Sequence, residues 1–298
     1  MTGMPTPPTD VWVIGYGSLM SGLGLQPLGR LPVRDVARVG LHNARRGFGK
    51  FSQHGDRFAV VLEAVHHDRP IVAERLAPLA APGGGVEGLA LRLPWEAVLR
   101  VSEREGYAPA ALQRVRTAAR REGGDLATVL WRLYEDAHLD LAAFRHRLFT
   151  LTDYASPHYV PHPVPLDGET AITFLAPGRE GSGCDRVVPV RVRTGHLALL
   201  NLGEAWRLKP NPSQLAYARA CILGSVHGVV VADLVECLAD HPDLCRRLVA
   251  ALAADCPEEW ARFLALTGLT RAAYVRALGP PENARRRGGL EPLLFACQ

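Results

Sequence analysis

Residues 16–19, with the sequence YGSL, place two hydroxyl side chains and a glycine directly after the apolar run WVIG. Glycines at the end of a strand permit a tight turn, often with positive φ. Such a turn can direct successive backbone N–H groups at one point and bind a carboxylate or a developing oxyanion. The hydroxyls of Tyr16 and Ser18 would be further partners. An ordinary turn is the alternative. The dinucleotide-binding pattern G-x-G-x-x-G is not met, because Met20 occupies the position of its last glycine.

The second candidate for chemistry is Glu105, in the segment WEAVLRVSEREGY at residues 95–107. At about 100° per residue, Trp95, Val98 and Val101 share one apolar face of a helix. Glu105 follows Val98 by seven residues and returns to that face. Burial without a cationic partner would raise the pKa of this carboxyl and suit it to general acid–base catalysis near neutral pH. The alternative is that the helix frays before Gly106 and that Glu105 is solvated.

Basic, aromatic and imidazole side chains supply weaker candidates. Arg45 and Arg46, in NARRGFGKF ahead of a predicted strand, could hold a substrate carboxylate, although exposed arginines are usually only solvated. Tyr217 lies in the helical segment PSQLAYARACILG, where the simpler interpretation is a tyrosine at the core edge with its hydroxyl in water. His158 and His162 are four residues apart, but the neighbouring prolines exclude a helix, so no metal site is expected.

Alternating strands and helices must position these residues. Apolar patterns predict strands at 11–14, 33–41, 57–65, 86–94, 170–177 and 186–193. Helices are predicted from residue 95, in three segments between 110 and 151, and again from 212 to about 278. Residues 155–169 contain four prolines and are interpreted as a connector. The predicted fold class is α+β, with a mostly antiparallel strand core, a helical insertion and a helical tail.

Composition narrows the classes of function. The chain has 298 residues, of which 48% are hydrophobic and 21% are charged, as in an ordinary folded protein. Its net charge of +4 gives no argument for nucleic-acid binding. No run reaches the roughly 18 apolar residues of a membrane helix, and residues 1–10 resemble a loose tail. The six cysteines form no C-x-x-C pair and are interpreted as reduced core thiols, which predicts a cytoplasmic protein.

Five segments together resemble the gamma-glutamylcyclotransferase-like superfamily, which includes the ChaC-type proteins. They are GYGSL after the first strand, ARVGLHNARRGF, VEGLALRL before a helix, SEREGY with its glutamate, and PSQLAYARACILG with its tyrosine. The resemblance covers residues 11 to about 107 and about 170 to 240. It implies a mixed β-barrel core with flanking helices over residues 11–240. Residues 108–168 would be a helical insertion and 241–298 a C-terminal helical extension.

The resemblance also implies an activity, the release of 5-oxoproline from a gamma-glutamyl compound without a metal or cofactor. Glu105 would be the catalytic acid and base. Tyr16, Gly17, Ser18, Leu19, Arg46 and Tyr217 would bind the small-molecule substrate. The implied partners include no nucleic acid and no membrane, and the oligomeric state is left open. The alternatives are a non-catalytic ligand-binding or interaction module on the same scaffold, and an amide-transfer enzyme with a larger pocket.

Overall fold

The computed structural model describes residues 10–21, 25–51, 58–66, 68–77, 80, 82–83, 85–156 and 159–175, together with Tyr217, Cys221, Ala254 and Pro257. The chain divides into two compact units. The first comprises residues 1–16, 25–45 and 62–187, and the second comprises 17–24, 46–61 and 188–298. Most of the described residues belong to the first unit.

A closed β-barrel is the main feature of the described residues. Six strands form it in the order β1-β6-β2-β5-β7-β8, and two further strands, β3 and β4, form a separate two-stranded sheet. Closure leaves the barrel without an unpaired edge. The strands are β1 Asp10–Gly15, β2 Asp35–His42, β3 Ala44–Phe51, β4 Phe58–Ala64, β5 Val72–Arg75, β6 Val86–Pro94, β7 Val160–Leu166 and β8 Glu169–Leu175.

Four of the six strand pairings in the barrel are antiparallel, and the β5–β7 and β8–β1 pairings are parallel. The predictions of the α+β class and of a mostly antiparallel strand core are therefore confirmed. Branched and aliphatic side chains are buried on both faces of the barrel wall. By the strand register, Ile14, Leu41 and Val164 share one face and Leu93 and Ile172 share the other, and each has at most 1% of its surface exposed. Each such burial contributes about 1.5–3 kcal/mol.

Strand β7 corrects the interpretation of residues 155–169 as a connector. The segment VPHPVPL at 160–166 pairs along its whole length with β8. Its prolines occupy alternate positions, 161, 163 and 165, and alternate residues of a strand direct their backbone nitrogens toward the same neighbour. The missing N–H groups therefore all face one side, and pairing with β5 is limited to Ala73 and Leu166. The predicted helical insertion at 108–168 accordingly ends before β7.

Four α-helices follow β6 in the described part of the chain, and they match the predicted helical stretch. They are α1 Trp95–Arg104, α2 Pro109–Arg121, α3 Leu126–Glu135 and α4 Leu141–Thr152. Asp125 and Asp140 cap α3 and α4, each accepting a hydrogen bond from a backbone N–H three residues later. These caps explain why one helical region breaks into separate helices.

Besides β7, two further strands, β3 and β5, were absent from the sequence prediction. Arg45 and Arg46 were placed ahead of a strand, but they lie inside β3, whose glycines at 47 and 49 weaken the strand pattern. Strand β5 has only four residues. The strand predicted at 186–193 lies outside the described residues, as do five of the six cysteines and the helices predicted from 212 onward, apart from Tyr217, Cys221, Ala254 and Pro257. The tail was predicted at 1–10, but its last residue, Asp10, begins β1, and residues 1–9 lie outside the described part. Cys221 is buried, as expected.

Candidate functional site

The turn after β1 begins with Tyr16, which is the last residue of its segment in the first unit. The ring is buried, and the hydroxyl donates a hydrogen bond of 2.6 Å to the backbone carbonyl of Phe174 in β8. Tyr16 therefore ties the end of β1 to the neighbouring strand.

Gly17 precedes a short 3-10 helix, Ser18–Met20, and the Met20 N–H donates to the Gly17 carbonyl at 3.0 Å. The φ angle of Gly17 is −138°, so the expected positive φ is wrong for this residue. Glycine is required at this position because a side chain would come too close to neighbouring atoms. A Cβ atom at Gly17 would lie 3.2 Å from Cβ of Val60 and 3.6 Å from the hydroxyl oxygen of Tyr217. The first backbone N–H groups of a helix point out of its N-terminal end.

Tyr217 contacts the same turn from a distant part of the sequence. Its half-buried hydroxyl accepts a hydrogen bond of 2.9 Å from the backbone N–H of Val60 in β4. The hydroxyl thus has a protein partner, which differs from the interpretation of a tyrosine whose hydroxyl faces only water.

Arg46 is the second distant residue at this turn. It is 3% exposed, and its Nη1 atom lies 3.8 Å from the Sδ atom of Met20, a weak acceptor. Ser18 and Leu19 are also buried. The second unit therefore brings together residues 17–20, Arg46 and Tyr217, five of the seven predicted site residues among them.

Glu105 belongs to the first unit and follows the last residue of α1. Gly106 has φ of +80°, and the helix closes with hydrogen bonds from Gly106 N–H to the Glu103 carbonyl and from Tyr107 N–H to the Ser102 carbonyl. This is a Schellman ending, which fixes the backbone at Glu105. The glutamate therefore does not lie on a frayed end.

The Glu105 side chain is 16% exposed, and its Oε1 atom accepts a hydrogen bond of 2.5 Å from Nη1 of Arg104. The expectation of burial without a cationic partner is therefore wrong. An adjacent guanidinium stabilises the carboxylate form, which is the form that can accept a proton.

The structure also buries two polar groups. The sequence analysis did not single out Glu87, and it considered His162 only as a metal ligand. Glu87 in β6 is fully buried and accepts hydrogen bonds from Nη2 and Nε of Arg38, at 2.6 and 3.2 Å. The position of this glutamate inside the apolar strand sequence VEGLALRL could have identified it as a buried charge. Buried His162 packs edge-on against Tyr134, with ring centroids 4.4 Å apart, and its Nδ1 has no hydrogen-bond partner in the described structure. Burial lowers the pKa of His162 to about 4.

The described residues contain no group of three histidine, cysteine, aspartate or glutamate side chains arranged to hold a metal ion. Within the same residues, no helix has the length and apolar character needed to cross a membrane. No protein-family model, no curated protein and no solved structure matches this chain.

Proposed function

We propose that this protein is a gamma-glutamyl cyclotransferase that releases 5-oxoproline from a gamma-glutamyl compound, with a fold of the gamma-glutamylcyclotransferase-like type. The observation that carries the proposal is the grouping of Gly17, Arg46 and Tyr217 at the turn after a barrel strand. These residues are separated by up to 200 positions, from 17 to 217. The half-buried Glu105 at a fixed helix end supplies a candidate base.

The reaction forms one bond and breaks one bond. Glu105 removes a proton from the substrate's α-ammonium group, and the resulting amine attacks the γ-carbonyl carbon of the same residue. The C–N bond that forms closes the five-membered ring of a tetrahedral intermediate. Glu105 then returns this proton to the leaving nitrogen as the original amide C–N bond breaks. The ring nitrogen loses its second proton as the lactam forms, and the released amine takes up that proton and leaves as an ammonium group. The products are 5-oxoproline and an amine or amino acid, and the proton balance is closed.

The turn residues have a matching role in this proposal. Backbone amides at Ser18 and Leu19 would donate to the oxyanion that develops on the γ-carbonyl oxygen. The guanidinium of Arg46 would pair with the substrate α-carboxylate. Because the reaction is intramolecular, holding the gamma-glutamyl chain in a curled conformation would supply much of the rate.

The direct test offers the purified protein glutathione, gamma-glutamyl dipeptides and gamma-glutamyl amines, and measures 5-oxoproline by mass spectrometry. The matched control substrate is the α-linked dipeptide, whose amide carbonyl cannot form a five-membered ring with its own α-amine. Release from a γ-linked substrate alone is expected. No release from any γ-linked substrate by the folded protein would contradict the proposal.

A second candidate function is a ligand-binding or interaction module. The hydroxyls of Tyr16 and Tyr217 both have backbone partners, which would suit a turn that serves only the structure. Isothermal titration with a gamma-glutamyl dipeptide separates the two functions. Saturable binding without turnover would favour the module, whereas turnover favours the enzyme.

A further inference from the structure

A cavity of about 330 Å³ lies in the first unit, apart from every residue discussed above for catalysis. It is bounded by the start of β1, the end of β6, the start of α1, the last turns of α2, the start of α3 and the start of β8. Its volume is at the lower end of the range for small-ligand pockets. The predicted helical insertion therefore supplies much of its wall.

Three arginines line this cavity, Arg92, Arg116 and Arg120. The guanidinium of Arg116 lies 4.2 Å from the ring centroid of Trp95, and that of Arg92 lies 6.0 Å from the ring centroid of Trp12. None of the three arginines forms an ion pair with a carboxylate of the described chain. The side chains of Arg92 and Arg116 therefore pack against tryptophan rings, whereas Arg120 is exposed.

Positive charge accumulates at this end of α2. Burial lowers the pKa of Arg116, the positive charge of Arg120 lowers it further, and the negative charge of Glu96 opposes both effects. The guanidinium groups of Arg116 and Arg120 are thus close enough to repel each other. A bound anion would relieve this repulsion.

Three carboxylates also line the cavity, but two of them have partners. Asp125 caps α3 by accepting a hydrogen bond of 2.7 Å from the Thr128 N–H. Glu169 accepts one of 2.7 Å from Nη2 of Arg75. Asp10 is the third. The two carboxylates without an ion-pair partner in the described part of the chain, those of Asp10 and Asp125, therefore face three arginines, and positive charge exceeds negative charge by one.

Further donors complete the lining. Helix α3 has ten residues, and the N–H groups of Leu126 and Ala127 in its first turn have no intrahelical acceptor. Trp12 is 6% exposed, and its Nε1 donor has no acceptor within the described structure. A helix N-terminus and nearby arginines together favour an anion.

We propose that this cavity binds a small multivalent oxyanion, the phosphate group of a metabolite or free phosphate. The guanidinium fork matches phosphate oxygens in pairs, and the tryptophans and the helix start exclude bulky ligands. The site does not involve Glu105 or the turn at 16–20, so it stands independently of the cyclotransferase proposal.

Isothermal titration with inorganic phosphate, pyrophosphate and a phosphomonoester, at constant ionic strength in chloride, tests this site. Saturable binding by the intact protein is expected, and the preferred anion distinguishes a free phosphate from a phosphate ester. Arg120→Gln removes one charge from an exposed position on α2 and should weaken binding about tenfold.

Arg121→Gln is the matched control, because Arg121 is the exposed neighbour on the same helix and does not line the cavity. This control should bind phosphate with the affinity of the parent. Three results would overturn the proposal: no saturable binding of any of the three anions, unchanged affinity in Arg120→Gln, or equal weakening in Arg120→Gln and Arg121→Gln.

Discussion

Two glutamates of the first unit, Glu87 and Glu105, each form an ion pair with an arginine, but the two pairs differ in exposure. Glu87 has no exposed side-chain surface and is held in the barrel wall by Arg38. Arg38 also donates to the backbone carbonyls of residues 77 and 80, so its donors are used within the protein. Glu105 keeps 16% of its side chain exposed, and its partner Arg104 is the preceding residue. The carboxylate of Glu87 is therefore closed to solvent, and the carboxylate of Glu105 is partly accessible to it.

This difference separates a structural charge from one that is available for chemistry. A fully buried ion pair must satisfy its own hydrogen bonds, because no solvent can replace a lost partner. A half-buried carboxylate at a fixed helix end can exchange a proton with a substrate without unfolding its surroundings. Exposure and the position of the partner therefore distinguish the two glutamates, although each lies beside an arginine.

The largest stability effect is expected for Glu87→Gln. The substitution leaves the largely buried charge of Arg38 uncompensated, which should lower the free energy of unfolding by about 4 kcal/mol. Urea denaturation followed by circular dichroism measures this loss. A loss below about 1 kcal/mol would show that the pair behaves like a surface ion pair and would remove the contrast with Glu105.

His162 extends the comparison to a buried group without an ionic partner. The rings of Tyr134 in α3 and Phe144 in α4 pack against the His162 ring, and Thr173 in β8 is the cross-strand partner of His162. The folded-state pKa of about 4 is below the ordinary value of 6.5, so the unfolded chain binds the proton more tightly. The contribution of His162 to the free energy of unfolding should be fully present above pH 6.5. It should fall by about 3 kcal/mol as the pH decreases to 4.

Urea denaturation at several pH values measures how the free energy of unfolding changes with pH, and His162→Leu is the comparison. The leucine variant should lose the contribution of this site to the slope between pH 6.5 and 4. Equal slopes in the two proteins would mean that His162 is not kept neutral by the fold.

The lack of space for a side chain is the reason that residue 17 is expected to require glycine. Gly17→Ala places a methyl group 3.2 Å from Val60 and should cost about 2 kcal/mol of stability. Gly124→Ala is the matched control, because its added Cβ would be no closer than 3.8 Å to any neighbour. A thermal shift in both variants, or in neither, would contradict the close approach at the turn.

Local sequence patterns predicted the strands β1, β2, β4, β6 and β8 and the helix α1, because continuous or periodic apolar runs mark each of them. The prolines of β7 concealed a strand, since their effect depends on which neighbour each missing N–H faces. The contact between Tyr217 and Val60 spans 157 positions and has no local signal. Glu105 was identified from helical periodicity, but the rotamer that brings Arg104 to it was not predictable from spacing.

The smallest stability effect is expected for Arg104→Gln. Both members of this pair are partly exposed, so losing the ion pair should cost no more than about 1 kcal/mol. Arg38→Gln is the corresponding change at the enclosed pair and should cost several times more. Equal losses in the two variants, measured by the same denaturation assay, would erase the distinction between the two glutamates.

Glu105 is proposed to transfer the proton in a cyclotransferase reaction. The most direct measurement is the rate of 5-oxoproline release from the preferred gamma-glutamyl substrate by the parent protein, Glu105→Gln and Glu103→Gln, with melting curves for all three. Glu103 is an exposed glutamate of the same helix and serves as the control. We expect Glu105→Gln to melt like the parent and to lose about 10²–10⁴-fold in rate, and Glu103→Gln to keep its activity. Normal turnover by a folded Glu105→Gln variant would contradict the assignment.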